Sequence, residues 1–558
     1  MPGGRGSGGR FPFIVLVLAL VGVLAAAGSG LQDTPPPARG GSDGQRDAAR
    51  GGDRLTIAWG DAPHSLDPAF AVDRTAENLV LNIFDPLVRL GPHLEPVPSL
   101  ASRWETSGDG RRITFVLRRD ATWTNGQAVT AADFEYAWKR VLAPETRSPT
   151  ASRLFPIARA AAYHACSGDD CARLAKAVGV RAVGEHRLVV TLARPRAWFV
   201  GELADPAFLP VRHETVERFR SRWTDPENIV TNGPFSLAAL DEDSVSLVRN
   251  PTWRDAARVT LARVDGRFVH GAAARLQAFD AGIAMVLDGT GLPGDELPSL
   301  REREEYETYP ALGAYLYAFN LATIEDVHQR RAMALAIDRE GIAANVLGAD
   351  VTPATRFVPL GTPDRGERPP PSPWLPPGGD LDAARRELAE ARVVKRRVTL
   401  LHVDAGRNGD IATAVRGAWR ALGIDTAIRA RDPERYLDFR GPLGAGSVDV
   451  YQVESKYRYP DAFAALDDWT CGAERNKTNF CSASYDALVS RARLEPASAV
   501  RERLYASAER ILSGQQGAFP AAPVFWPTYE NLESLKVKAS FSIDPLGRID
   551  LAAVDVRS

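Results

Sequence analysis

Thr231–Trp253, TNGPFSLAALDEDSVSLVRNPTW, places a tight Asn232-Gly233-Pro234 turn before two short apolar runs and closes them with Asn250-Pro251 and an indole. Asn-Gly and Asn-Pro dipeptides punctuate strands. Phe235-Ser-Leu237 and Val245-Ser-Leu-Val248 alternate apolar with polar side chains, the period of a strand with one buried face. The stretch predicts an antiparallel hairpin within a mixed domain, and function has to come from the rest of the chain.

At 558 residues the chain is too long for a single core, and size scaling suggests roughly three or four globular units. Sixty-eight Lys and Arg against seventy Asp and Glu give a formal charge of −2. That balance makes nucleic acid and other polyanions poor partners. Arg5 and Arg10 precede the uncharged run Phe11–Ala27, which ends in small residues. Basic, then apolar, then small is the order of a signal peptide or a single membrane anchor over about residues 1–30, so an exported, periplasmic or otherwise extracytoplasmic protein is expected. Residues 31–53, with Pro35-Pro-Pro37 and Gly40-Gly41, read as a disordered tether. Folding is expected to begin near Leu55-Thr-Ile-Ala-Trp59.

Cys166 and Cys171 bracket one short polar loop, and Cys471 and Cys481 another. In an oxidising compartment each pair closes a small ring, contributing about 2 to 3 kcal/mol at most by loop entropy. The competing reading, a zinc site, lacks any Cys-x-x-Cys, and the eight histidines are scattered.

Strand-like alternation recurs at Ile113–Leu117, Leu188–Leu192 and Arg263–Val269. Between the first two lies a helical pattern, Ala131–Val141, capped by Thr130 with Phe134, Ala137, Trp138 and Val141 on one face. Later, Val327–Leu347, Leu381–Ala391, Ile411–Leu422 and Ala499–Leu512 read as helices. Val398–Val403 and Asp425–Ile428 read as strands flanking the third of these, a βαβ crossover. Strands mixed with helices imply α/β lobes, and no internal repeat is visible.

Motifs of catalysis do not assemble. Gly40-Gly-Ser-Asp-Gly44 matches a nucleophile elbow only in letters, because it lies in the tether without strand or helix. Gly444-Ala-Gly-Ser447 reads as a turn, and His213-Glu214 lacks a second histidine at helical spacing. The Asn476-Lys-Thr478 sequon reads as fortuitous. No catalytic residue, metal site or cofactor is assigned.

A run of motifs nevertheless occurs in order: Ser65-Leu-Asp-Pro68, Asn82-Ile-Phe-Asp-Pro-Leu87, Ala121-Thr-Trp-Thr-Asn-Gly126, Val129-Thr-Ala-x-Asp-Phe-x-Tyr-Ala-Trp-Lys-Arg140, Ser148-Pro149, Trp223-Thr-Asp-Pro-x-Asn-Ile-Val-Thr-Asn-Gly-Pro-Phe235, Arg331-Ala-x-x-x-Ala-Ile-Asp-Arg339 and Leu504-Tyr-x-x-Ala-Glu509. Each is weak alone. Together, from about Leu55 to the C-terminus, they resemble the oligopeptide- and dipeptide-binding family of ABC-importer solute receptors, family 5. The resemblance implies an α/β, two-lobed periplasmic-binding-protein fold (type II, cluster C) with a hinge and an inserted domain. The first lobe is expected over residues 54–85, 201–309 and 524–558, the insert over 86–200 and the second lobe over 310–523. It also implies an oligopeptide or related small solute as ligand, a membrane permease and ATPase as partners, and a monomer.

Similar loops in relatives approach the ligand, which makes Asp73 and Arg74 candidates. Trp419 resembles a pocket-lining tryptophan, although an indole on an amphipathic helix equally suits a core, and Trp526 sits where relatives carry hinge-side aromatics. Relatives that bind a free peptide ammonium carry an aspartate, often within Asp-Tyr-Pro-Asp. Here the similar segment ends Glu454-Ser-Lys456-Tyr457-Arg458-Tyr-Pro-Asp461, so Arg458, or Lys456 if the register slips by two, replaces the acid. Either Glu454 anchors the ammonium instead, or the ligand is N-terminally blocked or anionic. A tethered sensor is a further reading, and a secreted hydrolase a third.

Overall fold

The segment Arg54–Trp59, RLTIAW, alternates toward a buried face and becomes the second strand of a five-stranded sheet. The computed structural model describes residues 53–289, 291–348, 351–363, 375–439 and 448–557. Phe11–Ala27, the tether apart from Asp53, and the Gly444–Ser447 turn lie outside the described residues. In sheet order the five strands are Val286–Leu287, Arg54–Trp59, Arg263–Phe268, Ser244–Arg249 and Phe235–Leu240. Arg54–Trp59 runs parallel to both its neighbours, and the last three strands are antiparallel.

The last two are the expected hairpin, paired Phe235 to Arg249 and Leu240 to Val245. Its polar punctuation turns out to be a clamp. Gly233 donates its N–H to the Ile83 carbonyl, 2.9 Å away, where a Cβ would lie only 2.5 Å from the Ile83 carbonyl carbon. Asn232 accepts from the Asp85 N–H, Asn250 donates to the Gly233 carbonyl, and the Trp253 indole donates to the Asp85 carboxylate at 3.3 Å. Asp85, fully buried, also pairs with Arg254 and Arg89. Turn residues and indole thus tie the hairpin to the end of helix Arg74–Ile83.

Other distant motifs converge in the same way. Asp67 receives Arg140 at 2.9 Å and the Trp223 indole at 3.2 Å. Asp133 caps helix Ala131–Leu142 through the Thr130 N–H and also receives Arg212 at 3.0 Å. Burying an acid costs several kcal/mol unless partners replace its water, and here each buried acid finds an arginine together with a hydroxyl or N–H.

The insert carries a four-stranded sheet in the order Ala101–Thr106, Arg112–Leu117, Arg187–Thr191, Val180–Ala182. One continuous apolar core joins it to the first lobe, running from Leu55 and Trp59 through Phe134 and Trp138 to Leu188. The second lobe has a six-stranded sheet in the order Thr352–Pro353, Ala521–Trp526, Gly313–Phe319, Val450–Lys456, Arg397–Val403, Asp425–Arg431. Arg397–Val403 and Asp425–Arg431 are parallel with helix Asn408–Arg420 between them, the expected crossover. The expected single helix Val327–Leu347 is instead broken after Leu335. Asp338 caps a new start at Gly341 N–H, and the fully buried Arg339 guanidinium spends its donors on the Pro523, Ile337 and Ala334 carbonyls.

The described chain passes between the lobes at two places. Tyr306–Pro310 pairs with Thr528–Leu532 on the first-lobe side, and Gly313–Phe319 pairs with Ala521–Trp526 on the second. The crossings are therefore Ala311–Leu312 and Pro527, so Val524–Trp526, expected in the first lobe, belong to the second-lobe sheet. Beside the hinge, the buried Glu533 accepts from the Tyr309 hydroxyl at 2.7 Å and the Asn531 amide at 3.1 Å. Burial pushes its carboxyl up to about 7.

A carboxyl raised in the folded state favours folding most below its ordinary value near 4.5, and that contribution is lost as pH rises through about 7. Glu533→Gln should therefore flatten the fall in Tm between those two values, a difference reaching about 3 kcal/mol. Parallel pH–Tm curves for the two proteins would contradict the assignment.

Candidate functional site

In the central second-lobe strand Val450–Lys456 the two-residue period puts Val453 and Ser455 inside and Glu454 and Lys456 outside. The ladder continues one step further, since the Tyr457 N–H donates to the Leu312 carbonyl at 2.8 Å. Glu454, Lys456 and Arg458 consequently face one side. They form part of the wall of a cleft of about 960 Å3 bordered by both lobes.

A second piece of that wall comes from the ring closed by Cys471–Cys481, whose Cα atoms are 4.6 Å apart. Inside the ring, the Asn476 amide donates to the Trp469, Thr470 and Phe480 carbonyls and Thr478 donates to Asn476. The sequon asparagine is thus a loop organiser. The loop turns Glu474, Arg475 and Lys477 into the cleft. Cys166–Cys171 forms the other expected disulfide, in the insert.

Helix Arg74–Ile83 supplies the opposite wall with Arg74, Glu77 and Asn78, joined by Asp205, Tyr529 and Arg548. Arg74 donates twice to the Asp288 carbonyl, at 3.0 and 2.7 Å, and lies 4.4 Å from the Tyr529 ring. Gly547, at φ +86°, makes room for this packing, because a Cβ there would sit 2.6 Å from the Arg74 guanidinium. Glu77 stands between Arg153 of the insert at 3.3 Å and Arg458 of the second lobe at 3.2 Å. Burial raises the Glu77 carboxyl above its ordinary value despite both arginines.

Six basic and four acidic side chains line the cleft. Glu77 and Asp205 are already paired with arginines. Among the described residues, Glu454, Lys456, Lys477 and Arg548 form no side-chain ion pair or hydrogen bond. Glu474 in the disulfide ring is likewise unpaired, so the free charge is two carboxylates and three cations.

Of the residues singled out from sequence, Arg74, Glu454, Lys456, Tyr457 and Arg458 come together on this cleft. Asp73 does not line it. Its two carboxylate oxygens accept from the Ala76 and His64 N–H groups, which makes it the helix cap. Trp419 is fully buried, its indole donating to the Met333 carbonyl at 2.9 Å and its ring 6.3 Å from Phe319, so the core reading of that tryptophan holds. Trp526 is on the hinge side as expected but only 4% exposed, packed in the second-lobe core rather than facing the cleft. Sequence reasoning missed Glu77 and Asn78, one helical turn beyond Arg74, and the charged triplet inside the disulfide ring. Asp205, Tyr529 and Arg548 carry no sequence signal, because only folding brings them to Arg74.

Comparison with known proteins adds the following. The sequence profile "Bacterial extracellular solute-binding proteins, family 5 Middle" matches residues 95–477. Dipeptide-binding protein DppE of Bacillus subtilis is 28% identical over 536 residues, covering 92% of this chain and 94% of DppE. Two Escherichia coli proteins each cover 83% of this chain and 86% of their own length. "Periplasmic murein peptide-binding protein MppA" is 31% identical over 478 residues, and "Probable deoxycholate-binding periplasmic protein YgiS" is 30% identical over 475. Among solved structures, the unliganded open form of MppA superposes with a TM-score of 0.80 at 28% identity, covering 91% of this chain and 98% of that one. A second MppA structure, from Escherichia coli, reaches 0.67 at the same identity, covering 91% and 99%.

Replacing Cys471 and Cys481 by Ser should weaken ligand binding several-fold in calorimetry, because the charged triplet loses its fixed frame, at a stability cost of about 2 to 3 kcal/mol. The same change at Cys166 and Cys171 should leave affinity unaltered, and equal effects of the two pairs would contradict this account. Trp419→Ala should cost about 3–5 kcal/mol of stability without changing affinity, read from denaturant titration.

Proposed function

Because this chain belongs to the bacterial extracellular solute-binding proteins of family 5, we propose that it is the exported receptor of an ABC importer, capturing peptides between its lobes and presenting them to a membrane permease and its ATPase. The observation that carries this reading is the wide cleft walled by both lobes and spanned by only two crossings of the described chain. A ligand touching both walls binds the closed arrangement more tightly than the open one, and that difference draws the lobes together. Generic hydrogen bonds to an extended peptide backbone give breadth, and water retained around side chains preserves it. In this reading Glu454 receives the peptide ammonium, since it is the unpaired cleft carboxylate on the central strand, two and four residues from Lys456 and Arg458. Lys456, Lys477 and Arg548 receive carboxylates. The protein acts by binding and release as a monomer, with no bond made or broken.

Export rests on Phe11–Ala27. Among the described residues no helix is long and apolar enough to cross a membrane.

A second reading, a receptor for an N-terminally blocked or anionic solute, draws support from Arg458 or Lys456 standing where an acid was expected, from the excess of cleft cations and from a relative named for deoxycholate binding. Calorimetry with matched free-amine and N-acetylated peptides separates the two. Under the first reading acetylation weakens binding by about tenfold or more and Glu454→Gln abolishes the difference, a charge-assisted contact being worth roughly 1.5–3 kcal/mol. Equal affinities support the second reading. If no peptide of either kind binds or shifts Tm, the peptide-receptor reading falls.

A further inference from the structure

Past Arg458 the cleft adjoins a second cavity of about 440 Å3, and Asp205 and Arg458 stand in the walls of both. Five arginines border this cavity, Arg153, Arg194, Arg196, Arg458 and Arg493, against two acids, Glu202 and Asp205. They come from the insert, the first lobe and the second lobe, so the cavity is a product of tertiary folding.

Three of the arginines are already neutralised. Arg196 holds Glu202, with Nε 3.1 Å from its carboxylate, which also accepts the Trp198 indole at 3.1 Å. Arg153 holds Asp205 at 2.7 Å, and Arg153 and Arg458 share Glu77. Arg194 and Arg493 are different. Neither forms an ion pair or hydrogen bond among the described residues, and the buried Arg493 Nε is left without an acceptor. Phe463 flanks the Arg493 guanidinium at 5.6 Å. Burial and the charges of Arg196 and Arg194 hold Arg493 below its ordinary value, opposed by Asp467.

A buried donor without an acceptor costs about 1–3 kcal/mol. Such a cost is retained where the group has a partner to receive. Apart from Ser152, the remaining lining, Phe155, Pro156, Ala193, Phe208 and Tyr459, is apolar or aromatic. It suits a group with a short hydrocarbon stem and a charged tip. The volume lies within the range of small-molecule sites, roughly 300–1,000 Å3. Trp198 stacks between Tyr459 and Phe463, at 6.0 and 4.4 Å, and braces the cavity against the second lobe.

We propose that this cavity is a carboxylate subsite continuous with the ligand cleft, in which Arg194 and Arg493 receive an acidic side chain or the terminal carboxylate of a bound peptide. The proposal rests on the peptide-receptor reading above and narrows its substrate class to peptides bearing a carboxylate beyond Arg458.

The test is calorimetry on the full chain with tetra-alanine peptides in which each position in turn is Glu or Gln, each with a free or an amidated C-terminus. The expected result is about a tenfold preference for the charged member of one pair, as charge-assisted hydrogen bonds imply. Arg194→Gln and Arg493→Gln should each reduce that preference and together abolish it, while peptides lacking the acid bind unchanged. Arg194 is exposed, so its replacement does not endanger folding, and Arg493→Lys should restore part of the preference. A preference at a Glu position identifies a side-chain carboxylate, and one at the terminus identifies the chain end. Binding with no charged preference anywhere, or a preference that survives both substitutions, overturns the subsite and leaves the receptor reading standing. Failure of every peptide to bind overturns both.

Discussion

Leu312 is tied to both lobes at once, and the rest of the molecule is arranged around that constraint. Its N–H donates to the Pro545 carbonyl of the first lobe at 2.6 Å, and its carbonyl accepts from the Tyr457 N–H of the second at 2.8 Å. Only two residues, Ala311 and Leu312, connect Tyr306–Pro310 to Gly313–Phe319, and the return crossing is the single residue Pro527. Ala311 donates to the Pro527 carbonyl, so the two crossings are also bonded to each other. A joint this short permits rotation but little sliding, because proline fixes one backbone angle and the flanking ladders fix the rest. The two sheets can approach without either losing a strand pair. Hinge motion of this kind makes affinity depend on closure.

The insert takes part in that geometry. Its core is continuous with the first lobe. At its end, Trp198 leaves that core and packs among Tyr459 and Phe463 of the second lobe. Glu77 repeats the pattern with charge, holding an arginine from the insert and one from the second lobe. Arg458 therefore faces an acid across the cleft. Its presence in the place expected of an aspartate is compensated locally, which removes the like-charge penalty that the bare substitution implies.

How much of this was legible in the sequence depends on what each residue answers to. Asp67, Asp85, Asp133 and Glu509 lie in the motifs that carried the resemblance, and each is buried and saturated. Glu509, for example, takes Arg356 at 2.8 Å and the Phe357 and Val358 N–H groups. A buried acid with fixed partners constrains several distant segments, so its signature is spread along the chain and readable. Glu454, Lys456 and Arg458 were singled out through the resemblance alone, and the pleat of Val450–Lys456 is what puts them on one side. Asp73 and Trp419 misled as ligand candidates because a cap and a cleft loop look alike in sequence, and so do a core indole and a pocket indole. Only the hydrogen bonds tell them apart. The crossing at Pro527 was missed by three residues because Val524-Phe-Trp526 reads as the same extended segment on either side of it.

The contrast between saturated scaffold acids and loosely held cleft charges also bears on specificity. Scaffold carboxylates are spent on arginines and N–H groups, so closing the lobes need not remake them. The free cleft charges remain hydrated while the cleft is open, and lose that water only when a ligand and the opposite wall replace it. Their mutual attraction with a ligand then strengthens as the local dielectric falls. In the open state, screening confines their reach to about 8–10 Å at physiological salt. Under the receptor reading proposed above, a chain of nearly balanced overall charge with a cation-rich cleft would discriminate by the sign of what enters the cleft, leaving side-chain size and backbone length to the space that closure leaves.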